Sequence, residues 1–217
     1  MQRRVRRHRL IRALGAGLVG AAVVGGALAA TWPRLPAEGS ADVTFARDMS
    51  AHHAQAVEMS VTMVKRAADP AVKLLAQDIL LTQQAQVGQM QGWLMAWGRP
   101  LAGTEAPMAG MNRAHMGLAT AQQVQELAYL PVGVAERQYL QVMRRHHQGG
   151  VAMAQSALRD VNRPEVRAFA ERVITAQTSE IEAIDALLAG RGVRPQTPTT
   201  APKDEAAPTP MDGMTHE

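Results

Sequence analysis

Met49-Ser50-Ala51-His52-His53-Ala54-Gln55-Ala56-Val57-Glu58-Met59 decides the architecture of this chain, because its pattern occurs twice. The second copy reads Met143-Arg144-Arg145-His146-His147-Gln148-Gly149-Gly150-Val151-Ala152-Met153, 94 positions on (146 less 52). Both keep a methionine, a histidine pair, a small residue and a second methionine at the same spacing. The same offset, without a gap, pairs Phe45 with Tyr139, Pro70 with Pro164, Gln83 with Gln177 and Leu94 with Leu188. An internal repeat of this length indicates one structural unit used twice.

Working outward from the first copy, apolar or motif residues recur at 45, 49, 52, 56, 59 and 63. Steps of three and four define one face of a helix. Asp42 reads as its cap, and the helix should end near Ala68. Asp69-Pro70 supplies a cap and a first-turn proline for a second helix. That helix runs through Val72, Ala76, Ile79, Met90 and Leu94 to a stop at Gly98-Arg99-Pro100. Residues 99–119, rich in Gly, Pro and Met, read as a loop. Thr120 with Gln123 forms a candidate capping box for a short helix, interrupted around Pro131. The second unit predicts helices over 133–160 and 164–189. Two hairpins with complementary apolar faces close most simply as an all-α four-helix bundle over 42–192, with repeat units 43–98 and 137–192. Residues 193–217 are Pro/Thr-rich and read as a disordered tail.

The ends carry an address. Six arginines lie in the first twelve residues, followed by an uncharged stretch at 13–30 and an Ala-x-Ala-like site at Ala27-Leu28-Ala29. Residues 1–31 therefore read as a signal peptide or membrane anchor, joined by a linker over 32–41. Five glycines in the apolar stretch weaken it as a permanent span. The expected location is exported: periplasmic, extracellular, or anchored to the outer face of the cytoplasmic membrane. The net charge of +4 misleads, since removing those six arginines leaves 17 basic against 19 acidic residues. No basic helix face or aromatic platform appears, so nucleic acid is not an expected partner. A membrane would be met only through an uncleaved N-terminal segment. Without cysteine, thiolate metal sites and disulfides are excluded, and any soft-metal site must use methionine and histidine.

The chemistry follows from the stripe. Met49, His52, Ala56, Met59 and Met63 fall on the face turned to the bundle interior, and His53 lies about 100° round toward a flanking helix. Met49 is three and four residues from the histidines and can share an ion with either. Met59 lies roughly 10 Å further along the axis, so it pairs more naturally with Met63. Counting from a hairpin turn at residue 69 sets His52 level with Gln86 on the second helix, and His146 level with Glu180. Gln83 and Gln177 lie one turn nearer the turn and read as interhelical hydrogen bonders. Orienting a histidine's second nitrogen is the usual task of such groups. Thioethers favour Cu(I), and imidazole accepts Cu(I), Cu(II) or Zn(II). A di-iron site is disfavoured, because no Glu-x-x-His occurs. Met63, Met90 and Met95 read as core fillers. Further soft donors stand outside the expected core: Met108, Met111, His115 and Met116 in the loop, and Met211, Met214 and His216 in the tail.

The duplicated motif resembles that of the domain of unknown function 305 (DUF305) family, a ferritin-like four-helix group with copper-binding members among exported proteins. His52, His53, Ala56 and Met59 match it position by position, as do His146, His147, Gly150 and Met153. Met49 and Met143 match the methionine before the pair. Gln86 departs from the glutamate usual there, which Glu180 keeps, and Gly149-Gly150 is glycine-rich for a helix interior. The expected function is copper sequestration or transfer, most naturally of Cu(I), with His52, His53, His146 and His147 as nitrogen ligands. Met49, Met59, Met143 and Met153 would supply sulfur, with Gln86, Glu180, Gln83 and Gln177 in support. The ion is the expected partner, and another copper-handling protein would receive it. Two alternatives stand beside this one: a non-metal structural or interaction module of the cell envelope, and a metal-dependent oxidase. Nothing in the sequence requires catalysis, since no nucleophile–base pair or nucleotide fingerprint is present.

Overall fold

The computed structural model describes residues 35–193. The expected export segment, the first residues of the linker and the tail from 194 onward lie outside the described residues, and with them Met211, Met214 and His216. Among the described residues there are five helices and no strand: α1 (Ala41–Arg66), α2 (Pro70–Ala96), α3 (Ala121–Glu126), α4 (Val132–Ala157) and α5 (Pro164–Ala189). None of them is long and apolar enough to cross a membrane.

Local chemistry accounts for most of the boundaries. Asp69 caps α2 by accepting the Ala71 N–H, with Pro70 in the first turn. Gly98, at φ +66, takes the left-handed conformation that ends α2. The Thr120–Gln123 capping box is formed in both directions. Three boundaries differ from the sequence reading. Ser40, not Asp42, caps α1, and α1 ends at Arg66. The helix expected to reach residue 160 stops at Ala157. Asp42 is buried instead, and its carboxylate accepts the N–H groups of Asn162 and Arg163 at 3.2 and 2.9 Å. The N-cap residue of α5, Arg163, makes no side-chain cap of its own, so α1 provides for it.

Two hairpins, α1 with α2 and α4 with α5, pack together chiefly through α1 and α4. These two helices run antiparallel: His52 faces His146, while Ser60, further along α1, meets Tyr139, further back along α4. The histidines therefore stand at a junction between two apolar clusters. One contains Met59 and Met63 from beyond the first histidine pair, Tyr139 and Met143 from before the second, and Ile79 and Ile184. The other contains Phe45 and Met49 from before the first pair, Met153 from beyond the second, and Met90, Leu94 and Phe169. Phe169 is met edge-on by Phe45 and Trp93, with centroids 6.3 and 5.3 Å away, contacts worth about 0.5–1.5 kcal/mol each beyond area burial. In the opposite cluster the Tyr139 hydroxyl pairs with Ser60 at 2.9 Å. Of the three expected core fillers, Met63 and Met90 are fully buried. Met95 is 65% exposed, because it lies on the outer face of the last turn of α2.

Candidate metal centre

The helical stripe brings Met49, His52, Ala56, Met59 and Met63 inside together, all fully buried. From α4 come His146, His147 and Met143, equally buried, with Met153 close to it. The imidazoles of His52 and His146 stack across the α1–α4 interface, centroids 3.8 Å apart and planes 32° from parallel. His53 and His147 flank this pair, at centroid distances of 6.3 and 6.2 Å from their neighbours.

Each flanking histidine is held by the second helix of its own hairpin. His53 Nε2 donates to Gln86 Oε1 and His147 Nε2 to Glu180 Oε2, both at 2.7 Å. The height deduced by counting holds, but the partners belong to His53 and His147 rather than to His52 and His146. The reason is the 100° step between adjacent helical residues: the first histidine of each pair points at the other hairpin, the second at its own partner helix. His52 finds a different acceptor, the Met116 carbonyl, at 3.0 Å. A carbonyl only accepts, so Nε2 of His52 carries the proton. In all three rings the other nitrogen, Nδ1, has no hydrogen-bond partner, and in His146 neither nitrogen has one.

Gln83 and Gln177 differ from the sequence reading. Both are buried, yet neither amide oxygen nor nitrogen makes the interhelical bond expected of it. The Gln177 amide packs on Gly150, where any Cβ would collide with it. Gly149 leaves room for the Met116 carbonyl, and Gly117, at φ +65, lies backbone to backbone against Arg145 and His146. The paired glycines of α4 thus admit close neighbours rather than loosening the helix.

Burial dominates the electrostatics. It pushes the His52 imidazole down to about 4, against the opposing pull of the Met116 bond, and His53 down to about 3, aided by the adjacent His52. His146 is driven well below the ordinary histidine range, first by burial and then by the neighbouring imidazoles. At neutral pH these rings are uncharged, the state in which imidazole offers a lone pair to a metal.

The loop donors divide. Met108 and Met116 are partly buried and pack on the apolar cluster around Met49, so the core does use them. Met111 and His115 are exposed, and His115 lines a surface cavity with Arg145, Gln148 and Thr178. Asp48, one turn before His52, accepts the Met108 N–H at 2.8 Å. The sequence reading missed Gln55, which grips Ala119 twice: it accepts the N–H at 2.8 Å and donates to the carbonyl at 3.0 Å. Its place seven residues after Asp48, on the face of α1 that carries His52, was the available signal.

The model of the family described as "Domain of unknown function (DUF305)" matches residues 42–188, well over half of the chain. The chain belongs to the DUF305 family. A crystal structure of a candidate secreted DUF305 protein from Streptomyces coelicolor is 41% identical, covering 73% of this chain and 98% of that one, with a TM-score of 0.68. CopM, solved in Cu(I)-bound and Cu(II)-bound forms, is 25% identical over 69% of this DUF305 chain and 96–97% of its own, with a TM-score of 0.57 in both. A curated relative, the uncharacterized protein L153 of Acanthamoeba polyphaga mimivirus, is 38% identical over 53 residues, and this chain spans about a third of its length (35%).

Proposed function

We propose that this DUF305 protein is an exported copper-binding protein that sequesters Cu(I) or passes it on, the ion held between the imidazoles and thioethers of α1 and α4. The observation that carries this reading is the set of buried imidazole nitrogens without hydrogen-bond partners: Nδ1 of His52, His53 and His147, and both nitrogens of His146. A buried polar atom left unpaired costs about 1–3 kcal/mol, and an ion that takes up those lone pairs recovers it. Buried sulfur lies in both flanking clusters, Met49 and Met153 in one, Met59 and Met143 in the other. Among the described residues no three histidine, aspartate or glutamate side chains group closely enough to hold an ion by themselves, and in this reading the thioethers complete the donor set. Such a set favours Cu(I). Gln86 and Glu180 would orient His53 and His147. The copper carried by CopM and the candidate secreted state of the Streptomyces relative support the cargo and the location. Another copper-handling protein would receive the ion.

One observation favours a second reading, a purely structural network: His53 and His147 already have good partners on α2 and α5. An anaerobic Cu(I) titration of the full chain against a chromophoric chelator separates the two. Under the copper reading, replacing His52 and His53, or His146 and His147, with alanine reduces uptake. Ion at a hundred times its Kd raises stability by about 2.7 kcal/mol. Full uptake surviving both double replacements would move the ion to the loop and tail donors. A melt insensitive to excess Cu(I) would favour the structural network.

A further inference from the structure

Three of the four central histidines have Nε2–H held by an oxygen. Two of those oxygens, on Gln86 and Glu180, occupy equivalent places in the two hairpins. The third, the Met116 carbonyl, comes from the segment between the hairpins, which occurs once and has no counterpart near His146. That segment is fastened to one face of α1 at three levels: Asp48 holds Met108, His52 holds Met116, and Gln55 holds Ala119 by two bonds. In the second unit the positions of Asp48 and Gln55 are taken by Val142 and Gly149, which offer no such side-chain bonds.

We infer that the inter-hairpin segment is the orienting element for His52, with Gln55 as a positioning residue that acts through Ala119 and Met116. The inference rests on the copper reading and assigns regulation to that site. A soft ion on Nδ1 of His52 withdraws electron density from the ring and makes its Nε2–H a stronger donor, which tightens the bond to Met116. Conversely, a segment held in place keeps the ring turned for the ion. Coupling of this kind is reciprocal: the factor by which a closed segment improves affinity equals the factor by which the ion favours closure. Partners that orient a ligating histidine typically govern affinity 10–100-fold. The loop offers His146 no such carbonyl, so the two units are unequal: the loop orients the His52 ring, while the His146 ring is held by its packing against His52.

The test uses silver(I), a redox-inert monovalent soft ion, on the full chain. Arg113 is exposed and lies between the Met108 and Met116 anchors. Cleavage after it by trypsin, followed by mass spectrometry, reports opening of the segment. Saturating silver should slow that cleavage about tenfold or more. Gln55→Ala should speed cleavage without metal and weaken silver binding by a factor no larger than that protection. A control variant, Gln138→Ala, which loosens the contacts of α4 with α3 at Gln123 and Glu126, should leave silver affinity unchanged. If silver binds through the histidines but cleavage after Arg113 is the same with and without it, and Gln55→Ala binds as the parent does, the inference is overturned while the copper reading stands. If the histidine replacements leave silver uptake intact, the copper reading itself fails.

Discussion

The Asp42 carboxylate holds the backbone N–H of Arg163 at 2.9 Å, across 121 positions of sequence, and Glu136 returns the arrangement by accepting the N–H groups of Ala68 and Asp69 at 2.8 Å. Asp42 and Glu136 are equivalent positions of the repeat (136 less 42 is again 94), so each hairpin caps the turn of the other. Removing either carboxylate takes the acceptor from two partly buried N–H groups. Asp42→Ala and Glu136→Ala should each cost about 1–3 kcal/mol in urea unfolding, and Asp42→Asn less, since its amide oxygen still accepts. Midpoints unchanged in both alanine variants would show that the turns do not need these caps.

Two adjacent glycines should answer differently to the same change. Alanine improves a helix interior by about 1 kcal/mol over glycine. At Gly149 the new methyl meets the Met116 carbonyl, which is backbone and cannot swing away, so Gly149→Ala should lose about 2 kcal/mol. At Gly150 the obstacle is the end of a flexible side chain, Gln177. Gly150→Ala should therefore cost less, and in a Gln177→Ala background it should become stabilising by up to about 1 kcal/mol. Thermal melts of the four variants decide this, and a Gly149→Ala protein as stable as the parent contradicts the close approach.

Acid should destabilise the metal-free protein. The folded state keeps His52 and His53 neutral down to about 4 and about 3, and His146 lower than its ordinary range, whereas unfolded histidines titrate near 6.5. Below 6.5 the unfolded chain binds more protons, so the stability present above that pH is lost as pH falls toward those folded values. Between pH 6.5 and 5 the loss is about 1.5 kcal/mol for each of His52 and His53. Asp48, whose carboxyl is pushed up by burial, works weakly in the opposite direction at the acid end. Urea midpoints at pH 7.5 and 5.0 should differ clearly in the parent and by less when His52 and His53 are both replaced by glutamine, His146 keeping its share. Equal midpoints in the parent would mean that the rings are not held neutral.

Gln86 and Glu180 offer an exchange experiment. Each accepts from the second histidine of its pair at 2.7 Å, but only the carboxylate brings a negative charge that strengthens its histidine as a donor to a cation. Gln86→Glu should raise Cu(I) affinity and Glu180→Gln lower it, by about tenfold or more, read by chelator competition. Affinities that fail to move in opposite directions would remove these groups from the site.

Much of the site was legible along the chain. The three-and-four spacing around His52 and its copy around His146 placed nine stripe and motif residues in the interior, from Met49 to Met153, and all nine are buried. Spacing along one helix is a local property, and helix geometry converts it into a face without further information. The count from the turn likewise set Gln86 and Glu180 at the right height. It assigned them to the wrong histidine, because height is set by rise per residue, while the choice of partner depends on how the helix is rotated against its neighbours.

What no local pattern contained is everything that depends on α1 meeting α4. The stacking of His52 on His146, the exchange of caps through Asp42 and Glu136, and the grip of Asp48, His52 and Gln55 on one intervening segment all join residues 60 or more positions apart. The repeated motif dictated two amphipathic hairpins, since periodicity and turn chemistry act over a few residues. The antiparallel crossing of those hairpins decided which lone pairs stay unpartnered and which apolar cluster each methionine joins, because burial is a property of the packed pair and belongs to neither helix alone.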